Sequence, residues 1–226
     1  MGNENGENDE KPIHSVWLDG YKIGKYEVTN GQYCEFLNTK GNNEGEGGTW
    51  IYLEFSKIEK KGNNFFPISG YENHPVVLVS WEGATEFAKW KGARLPTEAE
   101  WEFATKGGNL TKDYSYSGSN QIEEVAWFED NSENRTHPVG KKKPNELGIY
   151  DMSGNAWEWC NDWYNEEYYA SSPYRNPQGP DVGDAKVLRG GELQFNEIYC
   201  RVENRYSISP SARNTRIGFR LAKNIN

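Results

Sequence analysis

Apolar residues along this chain come in short runs whose spacing switches repeatedly between the period of a strand and that of a helix. The most regular run follows Gly154 and Asn155, two residues that tolerate positive φ, and reads Ala156-Trp157-Glu158-Trp159-Cys160. Its alternation predicts a strand with Trp157 and Trp159 on one face and Ala156, Glu158 and Cys160 on the other. Burying one Trp removes roughly 150–250 Å² from water, on the order of 4 kcal/mol at about 25 cal/mol per Å². Two indoles on one face place the middle of the core here.

Helical spacing occurs three times. Thr29 and Gln32 stand in capping-box register ahead of Tyr33, Phe36 and Leu37. Ser80 precedes Trp81, Ala84, Phe87 and Ala88, with Gly92 closing the helix. Thr97 and Glu100 repeat the capping box ahead of Trp101 and Ala104. Asp19-Gly20, between residues 16–18 and 21–26, predicts a hairpin. Residues 38–49 are a Gly-rich loop, and 50–58 and 64–68 are short strands. Val76-Val77-Leu78-Val79 reads as a buried strand or the lead into the next helix. Residues 187–191 form a strand ending in a tight turn, and 217–221 a closing strand. With long irregular stretches at 109–143 and 165–184, the prediction is an α+β, loop-rich domain with two or three helices.

Composition changes this picture in three ways. The mean hydropathy of −0.94 is low, yet aromatics supply 14% of residues, so the core is aromatic rather than aliphatic. A net charge of −9 argues against nucleic acid or an anionic membrane surface as partner. With 226 residues and no linker, one domain spanning 12–226 is expected behind a flexible acidic leader at 1–11, as a monomer. That leader has no hydrophobic segment of a signal peptide, and no 18-residue apolar run crosses a membrane. It suits a cytoplasmic protein, or a cell-surface or extracellular lipoprotein whose export or anchor segment has been trimmed. Cys34, Cys160 and Cys200 lack metal-ligand spacing; they allow one disulfide and require none.

Several segments together resemble a known family. His74-Pro75-Val76-Val77, the run 93–102, the central run 145–159, Leu188-Arg189-Gly190-Gly191 and Gly218-Phe219-Arg220 look like the formylglycine-generating-enzyme (sulfatase-modifying factor) domain, in order and over nearly all of 16–222. The resemblance implies a C-type-lectin-like fold, often holding calcium. The family's oxidase uses a copper-binding cysteine pair five positions apart after the Gly-Gly turn. Here Cys200 has Phe195 at that offset, and one thiol does not make the pair, so no copper is expected. His14, His74 and His137 are dispersed, which also disfavours the family's iron-binding branch.

The C-terminal segment resembles the variable region of proteins diversified by retroelements, a class that includes the treponemal variable protein. Framework positions, Arg189, Cys200, Arg201, Arg205, Pro210, Arg213 and Arg220, alternate with unpatterned ones. Most of the latter are reachable from Asn codons changed at adenines; Glu192, Gln194, Glu197 and Glu203 are not. The expected ligand-binding residues are Glu192, Leu193, Gln194, Phe195, Asn196, Glu197, Ile198, Tyr199, Glu203, Asn204, Tyr206, Ser207, Ile208, Ser209, Ser211, Ala212, Asn214, Thr215 and Arg216. Apolar and aromatic members set this stretch apart from a solvated loop, and Tyr and Phe give contact area at low entropy cost. The arginines read as framework, their guanidinium forks tying irregular backbone together.

Asn155 and Glu158 are candidate structural calcium ligands, with backbone carbonyls at the Gly154 turn; the alternative is an Asn turn with Glu158 paired to an arginine. Residues Glu129, Asp130 and Asn131 are a second, weaker candidate. The expectation is a non-enzymatic receptor- or adhesin-type protein whose 192–216 segment binds a protein or cell-surface ligand. The alternatives are a copper-dependent formylglycine-generating oxidase and an accessory scaffold domain.

Overall fold

The alternating tryptophan run forms the strand Trp157–Trp163, and the fold is assembled around it. The description rests on a computed structural model covering residues 1–46 and 48–225. Trp157–Trp163 pairs antiparallel with Lys186–Arg189 and parallel with Ile217–Gly218; Tyr206–Ile208 adds to the far edge of Lys186–Arg189. Trp157 and Trp159 enter one core cluster while Cys160, from the opposite face, enters another with Trp101. The main cluster is aromatic: Tyr33, Phe36, Phe87 and Phe219 meet ring to ring, with Trp50 and Trp90 against Phe36. Trp159 Nε1 donates to the Val79 carbonyl at 2.9 Å, so the buried indole keeps its hydrogen bond.

The three predicted helices form as Asn30–Lys40, Trp81–Trp90 and Glu98–Thr105. Thr29 with Gln32 and Thr97 with Glu100 close both capping boxes, and Ser80 accepts from the Gly83 amide. A single further turn, Ile122–Val125, lies in the stretch read as irregular.

Other expectations are corrected. No hairpin forms at Asp19-Gly20: Tyr21–Ile23 pairs instead with Ala222–Asn224, and Trp17 bridges Arg175. Of the strands expected at 50–58 and 64–68, the latter forms as Asn64–Pro67 and pairs with Ile58–Lys61, while 50–58 holds only a bridge at Ile51 and a 3-10 turn at Leu53–Phe55 before Ile58. Val76 to Val79 are buried but make only isolated bridges nearby, because Leu78 adopts φ 64°. Residues 1–11, expected as a flexible leader, pack against the body of the domain. Glu10 is buried and takes both terminal nitrogens of Arg201, Asp9 accepts from Tyr164 and Arg205, and the Gly2 amide donates to Glu102. All three cysteines are free and buried.

Candidate recognition face

The C-terminal segment is held by its arginines from beneath. Arg189, fully buried on the strand Lys186–Arg189, donates to the carbonyls of Val202, Glu203 and Asn204 and to Glu102. Arg205 grips both oxygens of Glu98 at 2.7 and 2.9 Å, and Arg213 reaches the Thr49 carbonyl. Arg220 takes both oxygens of Glu158 at 2.6 Å. Burying guanidinium groups requires carboxylate and carbonyl partners, since an unpaired buried charge is costly; of Arg189 only Nε is left without a hydrogen bond, 3.8 Å from Glu98. The framework role read from the arginines is the role they have.

Between these anchors the expected ligand-binding residues divide. Asn196, Glu197, Ile198, Tyr199, Tyr206, Ser209, Ser211 and Thr215 are exposed; Gln194, Phe195, Glu203, Ser207, Ile208, Ala212, Asn214 and Arg216 are half-buried. Glu192, Leu193 and Asn204 are buried, contrary to expectation. Glu192 turns inward onto the Gln194 amide and Arg216; the Leu193 carbonyl accepts from Ser132 and its side chain is buried; Asn204 is drawn in by Arg189. These three belong to the frame. Glu203 also faces the frame, its carboxylate 3.1 Å from Lys106.

The exposed members form a surface through Trp157. Its indole, 2% exposed, stacks on Tyr206 with centroids 5.4 Å apart and meets Phe195 edge-on at 6.3 Å; Phe195 lies 4.6 Å from Tyr199. A buried tryptophan thus carries a half-buried Phe and two tyrosines that reach solvent. Tyr206 is 42% and Ile198 51% exposed, an arrangement that leaves large apolar area facing water.

The expected calcium ligands are drawn apart. Glu158 accepts from Arg220 twice and from Trp101 Nε1 at 2.8 Å, the ion-pair alternative read for it. Asn155 adopts φ 66°, donates to Glu27 Oε2 at 2.7 Å and accepts from the His137 amide at 2.9 Å. Among the described residues the carboxylates with a buried oxygen lacking a hydrogen-bond partner are instead Glu27 (Oε1) and Asp151 (Oδ1); the amide oxygens of Asn30 and Asn204 lack one as well. Burial raises both carboxyls above their ordinary range, Asp151 to about 6, and Asp151 adds to the effect on Glu27. Sequence reasoning missed these two; a Glu and an Asp beside turn residues give no periodic signal. Among the described residues no group of three or more His, Cys, Asp or Glu forms a metal cage. Glu129, Asp130 and Asn131 line an open groove, with Asn131 bonded locally to Phe128 and Ala126.

Cys200 is fully buried, its thiol pushed up to about 12 by burial and then by Glu192, and Phe195 stands where a second thiol would be needed.

The sulfatase-modifying factor enzyme 1-like domain model matches residues 1–225. The chain is 37% identical, over 99% of its length, to the serine/threonine-protein kinase Pkn1 of Chlamydia trachomatis, of which it spans only 36%. It is 34% identical to the formylglycine-generating enzyme of Streptomyces coelicolor, covering 98% of this chain and 85% of that one. Among solved structures, Treponema denticola variable protein 1 superposes with a TM-score of 0.77 at 29% identity, over 99% of this chain and 91% of that one. The fold is the C-type-lectin-like, formylglycine-generating-enzyme fold, α+β as the sequence implied.

Proposed function

The chain belongs to the sulfatase-modifying factor enzyme 1-like family, and within it we propose that this chain is a non-enzymatic binding protein whose C-terminal segment meets a protein or cell-surface ligand. One observation carries the proposal: Ile198, Tyr199 and Tyr206 face solvent while their support, Trp157, is buried. Rigid two-torsion aromatics exposed on a fixed base are the means by which antibody loops gain contact area at low entropy cost. The likeness to a variable protein supports the same reading. Copper chemistry is disfavoured by the donor set. A single buried thiol with a raised pKa offers neither the thiolate nor the pair that copper(I) prefers.

The test is an oxygen-uptake assay with copper and a cysteine-containing sulfatase peptide. No uptake above the copper-only background is expected; turnover would overturn the proposal.

Calcium, implied by the family likeness, fits Glu27 and Asp151 better than Asn155 and Glu158. The former pair has buried oxygens without donors, whereas Asn155 and Glu158 are engaged. Bound there, a hard cation would neutralise buried carboxylates beside the Asn155 turn.

A further inference from the structure

Beside the aromatic row lies a cleft of ≈ 270 Å³ that the C-terminal segment does not build alone. Phe55 and Tyr71 come from the region of the Ile58–Lys61 hairpin, and buried Val77 and Leu193 contribute its apolar lining. Lys57, Arg135 and Arg216 also line it, and no carboxylate does, although the chain as a whole carries a charge of −9. Across a ridge of Asn134 and Gln194 the neighbouring groove is acidic, lined by Glu129, Asp130 and Glu133.

Counting charge narrows the ligand. Arg135 is paired with Glu133 at 2.6 Å and Arg216 with Glu192 at 3.2 Å. Lys57 Nζ sits 4.8 Å over the Tyr71 ring and makes no ion pair within 4.0 Å among the described residues. Arg216 Nε has no acceptor. The surplus is therefore about one positive charge, which matches a carboxylate and not a phosphate monoester, whose charge is about −1.5 to −2. The volume is below the range of roughly 300–1,000 Å³ usual for whole small molecules and suits one side chain.

We propose that this cleft is a subsite for an acidic side chain, Asp or Glu, of the protein partner, so that the recognition face extends to Phe55, Lys57 and Tyr71 outside the C-terminal segment. The proposal rests on the binding reading above and names the chemistry its partner brings. The acidic groove across the ridge repels the same carboxylate and thereby fixes the side from which it enters.

The test is an NMR titration of the whole chain with the peptide Ac-Ala-Glu-Ala-NH2, following the Arg216 Nε–H signal, with its glutamine and phosphoserine counterparts in parallel. A saturable shift is expected, with Kd on the order of 1 mM or weaker, declining with added salt. The glutamine peptide should give none, and Lys57→Glu should weaken binding at least about tenfold while the melting temperature stays put. Absence of saturation, indifference to Lys57→Glu, or tighter binding of the phosphoserine peptide would overturn it. The copper and oxygen assay is independent of this cleft: turnover there with a saturating titration here would sink the binding reading alone, and the reverse result would sink the subsite alone.

Discussion

Arg189 Nη2 lies 2.5 Å from Glu102 Oε2, and neither side chain reaches solvent. The same guanidinium holds the carbonyls of Val202, Glu203 and Asn204, so one residue ties the helix Glu98–Thr105 to the base of the recognition face. Burial opposes charge on Glu102, yet Arg189 and Lys106 outweigh it and hold its carboxyl down at about 2. Arg189→Lys keeps the charge and loses the fork. It should cost roughly 1–3 kcal/mol for the carbonyl and carboxylate bonds left unmade, read from the urea midpoint; a change within about 0.5 kcal/mol would show that the fork is not the anchor.

Asp162 gives the protein a pH dependence of known sign. It accepts from the Glu98 amide at 2.9 Å, and burial, then Glu98, raises its carboxyl from 3.8 to about 8. With the folded value above the unfolded one, its contribution is complete below the unfolded pKa and is lost as pH climbs toward about 8. Asp162→Asn keeps an acceptor and carries no charge. The variant should melt near the parent at pH 4 and higher than the parent at pH 8, by roughly 2–4 °C per kcal/mol. Equal destabilisation at both values would mean that Asp162 is ionised when folded.

Thiol chemistry follows from burial. Cys34 and Cys200 are pushed up to about 12, and Cys160 is raised as well. None should react with a thiol reagent at pH 8 until denaturant is added, after which all three should react. Rapid native labelling of Cys200 would revive a reactive-cysteine role.

Trp157 and Tyr206 are stacked, yet one is support and the other display. Trp157→Ala should cost about 3–5 kcal/mol by opening a cavity. Tyr206→Ser, at a residue 42% exposed, should cost less than about 1 kcal/mol by denaturant unfolding. Similar costs would mean that Tyr206 is part of the core.

The local signals were the legible ones. Both capping boxes and the faces of the tryptophan strand are set within a few residues and form as expected, whereas the first helix runs through Lys40 into the expected loop 38–49, within which Glu44–Gly45 pairs with Gly48–Thr49. The partner of the strand Tyr21–Ile23 is not legible locally, because Ala222–Asn224 comes from the far end of the chain and nothing near Asp19 signals it. Glu192, Leu193 and Asn204 looked like their exposed neighbours; only the tertiary pull of Arg216, Ser132 and Arg189 places them inside. The subsite residues Phe55, Lys57 and Tyr71 were missed for a similar reason, although apolar rings in a polar stretch were a usable cue.

The most direct measurement is a displayed library randomised together at Ile198, Tyr199, Tyr206, Ser209, Ser211 and Thr215, scored for folding and for binding to an unrelated protein target. Most members are predicted to fold with melting temperatures near the parent's, and selection is predicted to yield binders whose affinity tracks the randomised positions. A library that mostly unfolds, or that folds and yields binders insensitive to those positions, would contradict the claim that this face is displayed for recognition.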